Sequence, residues 1–252
     1  MPNVYPGPYL ANDRNDYVAF TGLPIVQEAI AAASIGVVTV NHTNMWYIDG
    51  RYFEQYNTVA TSVVAPSMGT ILNDGLNIGA LCNAASKEIE ITQGNNAAIK
   101  NCFVTRTSPS FFVRATFNIN TLANVTELSV GFRKQATYAA SPLTTYTDYA
   151  IIGVSGTSGH IQTQTGIASA YVKTDTTNVA TAATNFTLQV NIDGSGNVTY
   201  LWANANGLLI APTTVVAAQM GTGLNFIPWI HYTVSAAAAS EVDLVSYSCG
   251  LL

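Results

Sequence analysis

Phe186-Thr187-Leu188-Gln189-Val190-Asn191-Ile192-Asp193-Gly194-Ser195-Gly196-Asn197-Val198-Thr199-Tyr200 decides the fold class. Phe186, Leu188, Val190 and Ile192 alternate with Thr187, Gln189 and Asn191. That is the period of a strand with one face on a core and one facing outward. Asp193-Gly194-Ser195-Gly196 is a turn signal, because glycine supplies the positive φ that a tight reversal needs. The chain then resumes as a second strand over 197–202, and Asn206-Gly207 marks the next turn.

The same alternation recurs on the N-terminal side. Phe111, Val113, Ala115, Phe117 and Ile119 share one face, and Arg114, Thr116 and Asn118 the other. Leu128, Val130 and Phe132 alternate with Glu127, Ser129 and Arg133. Further strands are expected over 89–92, 102–106, 149–154, 226–234 and 241–247. Many short strands separated by turn residues predict an all-β chain, an antiparallel jelly-roll β-sandwich. The Gly-rich run 153–159 lacks the Lys-Ser/Thr ending of a phosphate loop and reads as turns.

The first 45 residues differ from residues 46–252, which are expected to form the sandwich. Pro2, Pro6, Gly7 and Pro8, interleaved with Tyr5 and Tyr9, favour extended backbone and predict an N-terminal arm. One short helix is expected over 24–33, with Thr21 as cap and Gly36 as terminator.

Charged residues make up only 9% of the 252, and the net charge is −5. Soluble domains carry roughly 25%, so Ser, Thr, Asn, Gly and Tyr must fill the surface. Such a surface resists self-association weakly, which predicts a homo-oligomer or larger assembly. Without clustered Lys and Arg, nucleic acid and anionic membrane surfaces are not expected partners. The most apolar stretch, 24–40, is too short and interrupted to span a bilayer. The N-terminus lacks the pattern of a secretion signal. Cys82, Cys102 and Cys249 are three, widely spaced and without a CxxC, as expected of buried thiols made in a reducing compartment.

From Phe111 onward the chain resembles the concanavalin-like jelly-roll sandwiches of phage structural proteins. The resemblance rests on Phe112-Val113-Arg114-Ala115-Thr116-Phe117, Val130-Gly131-Phe132-Arg133-Lys134, the quoted stretch, Phe226-Ile227-Pro228-Trp229 and the ending 242–250. It implies a virion role, a capsid decoration or cement protein assembled in the host cytoplasm. Its partners would be the major capsid protein or other virion proteins, with Tyr5, Pro6, Pro8, Tyr9 and Phe20 of the arm lying across them.

Two other chemistries can be weighed on the residues. Related sandwiches include glucanases built on an E-I-D-I-x-E strand. Lys87-Glu88-Ile89-Glu90-Ile91-Thr92 places Glu88 and Glu90 on one face about 7 Å apart. Retaining hydrolysis needs carboxyls about 5–5.5 Å apart, and the motif's third acid is missing. An ordinary strand with a solvated acidic face, and no enzymatic role, is expected. The alternative reading is a lectin-like carbohydrate-binding module such as a receptor-binding head. Trp202 and Trp229 are then the candidate stacking platforms for sugar rings. No cofactor is expected. His42, His160 and His231 have no metal-ligand spacing, so no metal site is expected either.

Overall fold

The computed structural model describes residues 102–139, 141–205, 207–234 and 242–252, with shorter stretches at 18–19, 38–41, 54–57, 62–64, 71–72, 75–78 and 88–93. The expected helix over 24–33 and the arm residues Tyr5, Pro6, Pro8, Tyr9 and Phe20 lie outside the described residues. Among those described, seventeen strands, numbered in chain order, form two sheets. The smaller sheet holds β1 (Val18–Ala19), β2 (Val38–Asn41), β5 (Ile71–Leu72), β6 (Gly75–Asn77), β9 (Phe111–Ile119), β14 (Phe186–Ile192), β15 (Val198–Asn204) and β17 (Val242–Leu251). The larger holds β3 (Glu54–Asn57), β4 (Ser62–Val64), β7 (Glu88–Thr92), β8 (Phe103–Val104), β10 (Val125–Lys134), β11 (Tyr149–Ser155), β12 (His160–Ile167), β13 (Ala170–Val179) and β16 (Asn225–Val234).

The smaller sheet runs β1-β2-β17-β9-β14-β15, with β6 also on β17 and β5 on β6. The larger runs β13-β12-β11-β10-β16-β7-β3-β4, with β8 on β16. Every described pairing is antiparallel except β1 with β2. This is the expected sandwich. β2 pairs with β17, so residues 38–41 take part in the smaller sheet.

Each strand joins a sheet for the reason visible in its alternation. The inward faces of β9 and β14 supply Phe111, Val113, Phe117, Leu188 and Val190. Those of β10 and β11 supply Leu128, Val130, Phe132, Ile152 and Val154, all buried in one core. Phe103 stacks on Phe111 with centroids 4.7 Å apart, and Phe132 meets Phe111 edge-on at 5.0 Å. Each such ring contributes about 1.5–3 kcal/mol when fully buried. The turn after β14 closes as expected. Asp193 accepts the N–H groups of Ser195 and Asn197, and Gly196 sits at φ +84, a left-handed conformation that favours glycine.

The helix that is described lies elsewhere, a single turn at Pro142–Thr145 inside the connection between β10 and β11. The short strands β1 to β6 were not anticipated from sequence, and neither were the two long strands β12 and β13. They form a hairpin closed by Ala168 and Ser169, both at positive φ. Gly153, which falls both in the strand expected over 149–154 and in the run 153–159 read as turns, lies within β11. Beyond β15 a ribbon follows the sheet edge, pairing Ile210 with Trp202 and Gln219 with Asn197. It exposes Leu208, Ile210, Val215 and Val216.

Candidate functional site

The register of the larger sheet assigns its outward residues in rows. One row runs Glu90 (β7), His231 (β16), Ser129 (β10), Gly153 (β11), Gln162 (β12), Asp175 (β13). The next runs Thr92, Trp229, Gly131, Ile151, Gln164, Lys173. On one side of these lies Arg133, Tyr149, Gly166, Tyr171. On the other lies Glu88, Thr233, Glu127, Ser155. The centre is therefore built from Gly and Ser, with long polar and aromatic side chains around it.

One end is covered by the connection 135–148. Its anchor is a buried ion pair, Arg133 Nε to Glu90 Oε2 at 3.3 Å, both side chains fully buried. The Tyr146 hydroxyl donates to both Glu90 oxygens at 2.9 and 3.1 Å. The Arg133 guanidinium lies over the Tyr146 ring at 4.4 Å and the Tyr138 ring at 5.5 Å. Arg133 also donates to the carbonyls of Lys134 and Ala136. Burial pushes the Glu90 carboxyl up to about 7, because the removal of water outweighs the opposing pull of Arg133 and the Tyr146 hydroxyl. The expectation of a solvated acidic face on β7 is corrected here. Glu88 and Glu90 do share a face, but Glu90 is sealed beneath Tyr146 and cannot touch a substrate.

The open end carries the accessible chemistry. Tyr171, 40% exposed, stacks on Tyr149 with centroids 6.0 Å apart and an interplanar angle of 22°, and its hydroxyl donates to the Thr144 carbonyl. Gly166 faces both rings. A Cβ there would come 2.6 Å from Tyr149, so only glycine lets the ring lie flat on β12. Lys173 Nζ meets Glu127 Oε2 at 2.9 Å, reaching from β13 to β10 across β12 and β11. His160 and Asp175 pair at the rim, which, with an N–H bond from Thr177, holds the Asp175 carboxyl below its ordinary value. Burial holds the His231 imidazole down at about 4, so it is neutral at working pH. Burial, and secondarily the Glu127 charge, raises Glu88.

Arg133 Nη2 is buried without a hydrogen-bond partner at the covered end, and beyond it four more polar atoms of the described residues on this face are so placed: Trp229 Nε1, His231 Nδ1, Gln162 Oε1 and Gln164 Oε1. Two stand on β16 and two on β12, about 14 Å apart at the backbone. Between them lie only Ser129, Gly131, Gly153 and Ile151. Buried polar groups are nearly always paired, so four on one face mark a place where something polar is accommodated.

Of the sequence-nominated residues, the structure does not bring Trp202 and Trp229 together. Trp202 points into the sandwich core and is 8% exposed. Trp229 is on the outer face but wholly buried, its ring edge-on to Tyr146 at 5.6 Å and Tyr149 at 6.0 Å. Neither offers a ring face to a sugar, which corrects their expected role as stacking platforms. The exposed aromatic is Tyr171, which sequence reasoning missed together with Gln162, Gln164 and Lys173. The signal was present as polar alternation, Gln162 and Gln164 with Ile161 and Thr163, then Tyr171, Lys173 and Asp175.

No protein-family model matches the sequence, and no curated protein does. Solved structures do match. The lumenal domain of VIP36 in its Ca2+/Man3GlcNAc-bound form aligns over 85% of this chain and 88% of its own, with TM-score 0.53 and 9% identity. A legume lectin-like domain from Entamoeba histolytica aligns over 80% and 91%, with TM-score 0.52 and 9% identity. Lectin II from Ulex europaeus aligns over 86% and 98%, with TM-score 0.52 and 10% identity. At these identities the likeness establishes the fold, a legume-lectin-like jelly-roll sandwich. It also corrects the expectation of a phage capsid decoration or cement protein, because the structures named above include a lectin and a legume lectin-like domain, and none of them is a virion component. One of those structures is a calcium-bound form. Among the described residues of this chain, no group of three or more His, Cys, Asp or Glu side chains is placed to hold a metal ion.

Proposed function

We propose that this chain is a carbohydrate-binding, lectin-like protein whose binding surface is the outer face of the larger sheet, at the open end beside Tyr171. The observation that carries the reading is the pair of unpartnered glutamine oxygens, Gln162 Oε1 and Gln164 Oε1, on a Gly and Ser floor next to the exposed, stacked ring of Tyr171. A sugar ring fits that combination for a simple reason. Its hydroxyls both donate and accept, so they can serve the Gln162 and Gln164 oxygens on β12 beside Tyr171. Its apolar C–H face can rest on Tyr171. The Lys173–Glu127 pair spans the floor and is partly exposed, so it holds weakly and can move aside. The lectin identity of the structural neighbours supports the same reading.

Recognition, not turnover, is the proposed role. Glu90, the most strongly perturbed carboxyl on the face, is sealed beneath Tyr146 and cannot flank a glycosidic bond.

Binding of purified protein to a broad glycan array tests the reading. Tyr171→Ala should weaken any bound glycan about tenfold, the value of one aromatic contact. Gln164→Ala should weaken it by a similar factor. Wild-type protein that retains no glycan, or binding indifferent to both substitutions, would overturn the assignment.

A further inference from the structure

The charges bordering the candidate site discriminate between classes of sugar. Two cations of the described residues lie at this face, and each already faces a carboxylate. Arg133 is on Glu90 at 3.3 Å, and Lys173 on Glu127 at 2.9 Å. Glu88 and Asp175 add two further carboxylates on the same side of the sheet. His231 contributes no positive charge, since burial keeps it neutral. Among the described residues the face thus holds four carboxylates, of which Asp175 faces His160, and two Lys or Arg cations, and neither cation is available to a newcomer without exposing an anion.

Resting on the carbohydrate reading above, we infer that the site accepts uncharged glycans and rejects sialylated or sulfated ones, with Glu127 as the residue that sets this choice. A neutral sugar that slips under the Lys173–Glu127 bridge leaves the pair able to re-form over it. A carboxylate or sulfate drawn to Lys173 must compete with Glu127, which stays within reach of the same ammonium. It would then face Glu127, Glu88 and Asp175 as like charges. In a partly desolvated site such a juxtaposition outweighs the hydrogen bonds gained by the added acid group.

The test is an array in which each neutral glycan stands beside its sialylated or sulfated form, probed with full-length wild-type protein, Glu127→Gln and Lys173→Gln. Wild type should prefer the neutral member of a pair by roughly tenfold or more. Glu127→Gln frees Lys173 and should shrink that preference by about tenfold. Lys173→Gln removes the exposed cation of this outer face and should leave the acidic member unbound. Melting curves of both variants establish that they are folded, and Glu127→Asp, which keeps the charge, should keep the preference. Equal or tighter wild-type binding of acidic members overturns the inference while leaving carbohydrate binding intact. An unchanged preference in folded Glu127→Gln overturns the role of Glu127. Absence of binding to every glycan overturns the carbohydrate reading itself.

Discussion

On the outer face of the smaller sheet, Thr116 stands opposite Thr187 with hydroxyls 2.8 Å apart, and Asn118 donates to Asn185 at 2.9 Å. Arg114 donates to Gln189 at 2.8 Å, and Gln189 donates onward to Asn191 at 2.7 Å. The outer face of the larger sheet is built on the opposite plan. Long side chains stand opposite glycine or serine: Trp229 beside Gly131, His231 beside Ser129, Gln162 beside Gly153, Tyr149 and Tyr171 beside Gly166. Matched cross-strand neighbours satisfy one another inside the sheet. Mismatched ones leave polar ends without a cross-strand partner, so those groups depend on a covering segment or a ligand. That difference explains why one face is a closed hydrogen-bonded lattice and the other carries both the connection 135–148 and the candidate site.

The contrast can be broken most forcefully at the buried anchor. Arg133→Ala strands the Glu90 carboxylate and should cost about 3–5 kcal/mol in urea unfolding. Trp229→Ala should cost a similar amount through the cavity it leaves, with loss of stability, not selective loss of binding, as its signature. If Trp229→Ala instead left stability intact, the ring would not be the packing element that its burial implies.

The pH profile of stability sharpens the comparison next, because a strongly shifted carboxyl and a strongly shifted imidazole both lie on this one face. Folded Glu90 holds its proton up to about 7 while the unfolded carboxyl releases it near 4.5. Stability from this group is therefore fully present below 4.5 and is lost as pH rises through 7. His231 behaves oppositely. Its folded value of about 4 lies below the unfolded 6.5, so its contribution is present above 6.5 and is lost as pH falls toward 4. Across the shared window the two offset each other. Glu90→Gln should unmask a profile that rises with pH, and His231→Asn one that falls, both read from urea midpoints. Parallel profiles for wild type and both variants would remove the titration account.

Gly166→Ala is a smaller perturbation, placing a methyl where the Tyr149 ring lies, and should cost about 1–3 kcal/mol. It should also loosen Tyr171, which a rise in fluorescence anisotropy decay amplitude at the tyrosines would report. The smallest effect belongs to the smaller sheet. Replacing Thr116 and Thr187 together by valine removes both partners of one bond and should change stability by less than about 1 kcal/mol. A large loss there would mean that the lattice is more than self-satisfying decoration.

Much of this architecture was legible in alternation. The sequence reading matched β9 in full, and β10, β11, β14, β15 and β16 to within two residues at either end. The hairpin β12–β13 was not legible, for two physical reasons. Its turn is Ala168-Ser169, both at positive φ, where Asn-Gly would be the usual signal. That conformation is held from a distance by Asp148, whose Oδ1 accepts the Ala168 N–H, and by the Thr147 carbonyl, which accepts the Ser169 N–H. In addition, β13 is an edge strand exposed along most of its length, so it carries little apolar alternation to read. The exposed aromatic of the candidate site sits on that strand, which is why Tyr171 was passed over and the tryptophans were chosen.

Sequence by itself determined parity: which residues of each strand face the core and which face outward, since successive side chains must point to opposite sides. It placed Glu88 and Glu90 on one face and kept Leu188 and Val190 inside. What covers an outward residue is not a local property. Trp229 and Glu90 are both outward by parity, yet both are sealed. Strand order sets β7 beside β16, and Tyr146, 56 residues from Glu90, folds back to close over them. The tertiary structure alone decided that burial, and with it which of the two outer faces was left with polar groups still to satisfy.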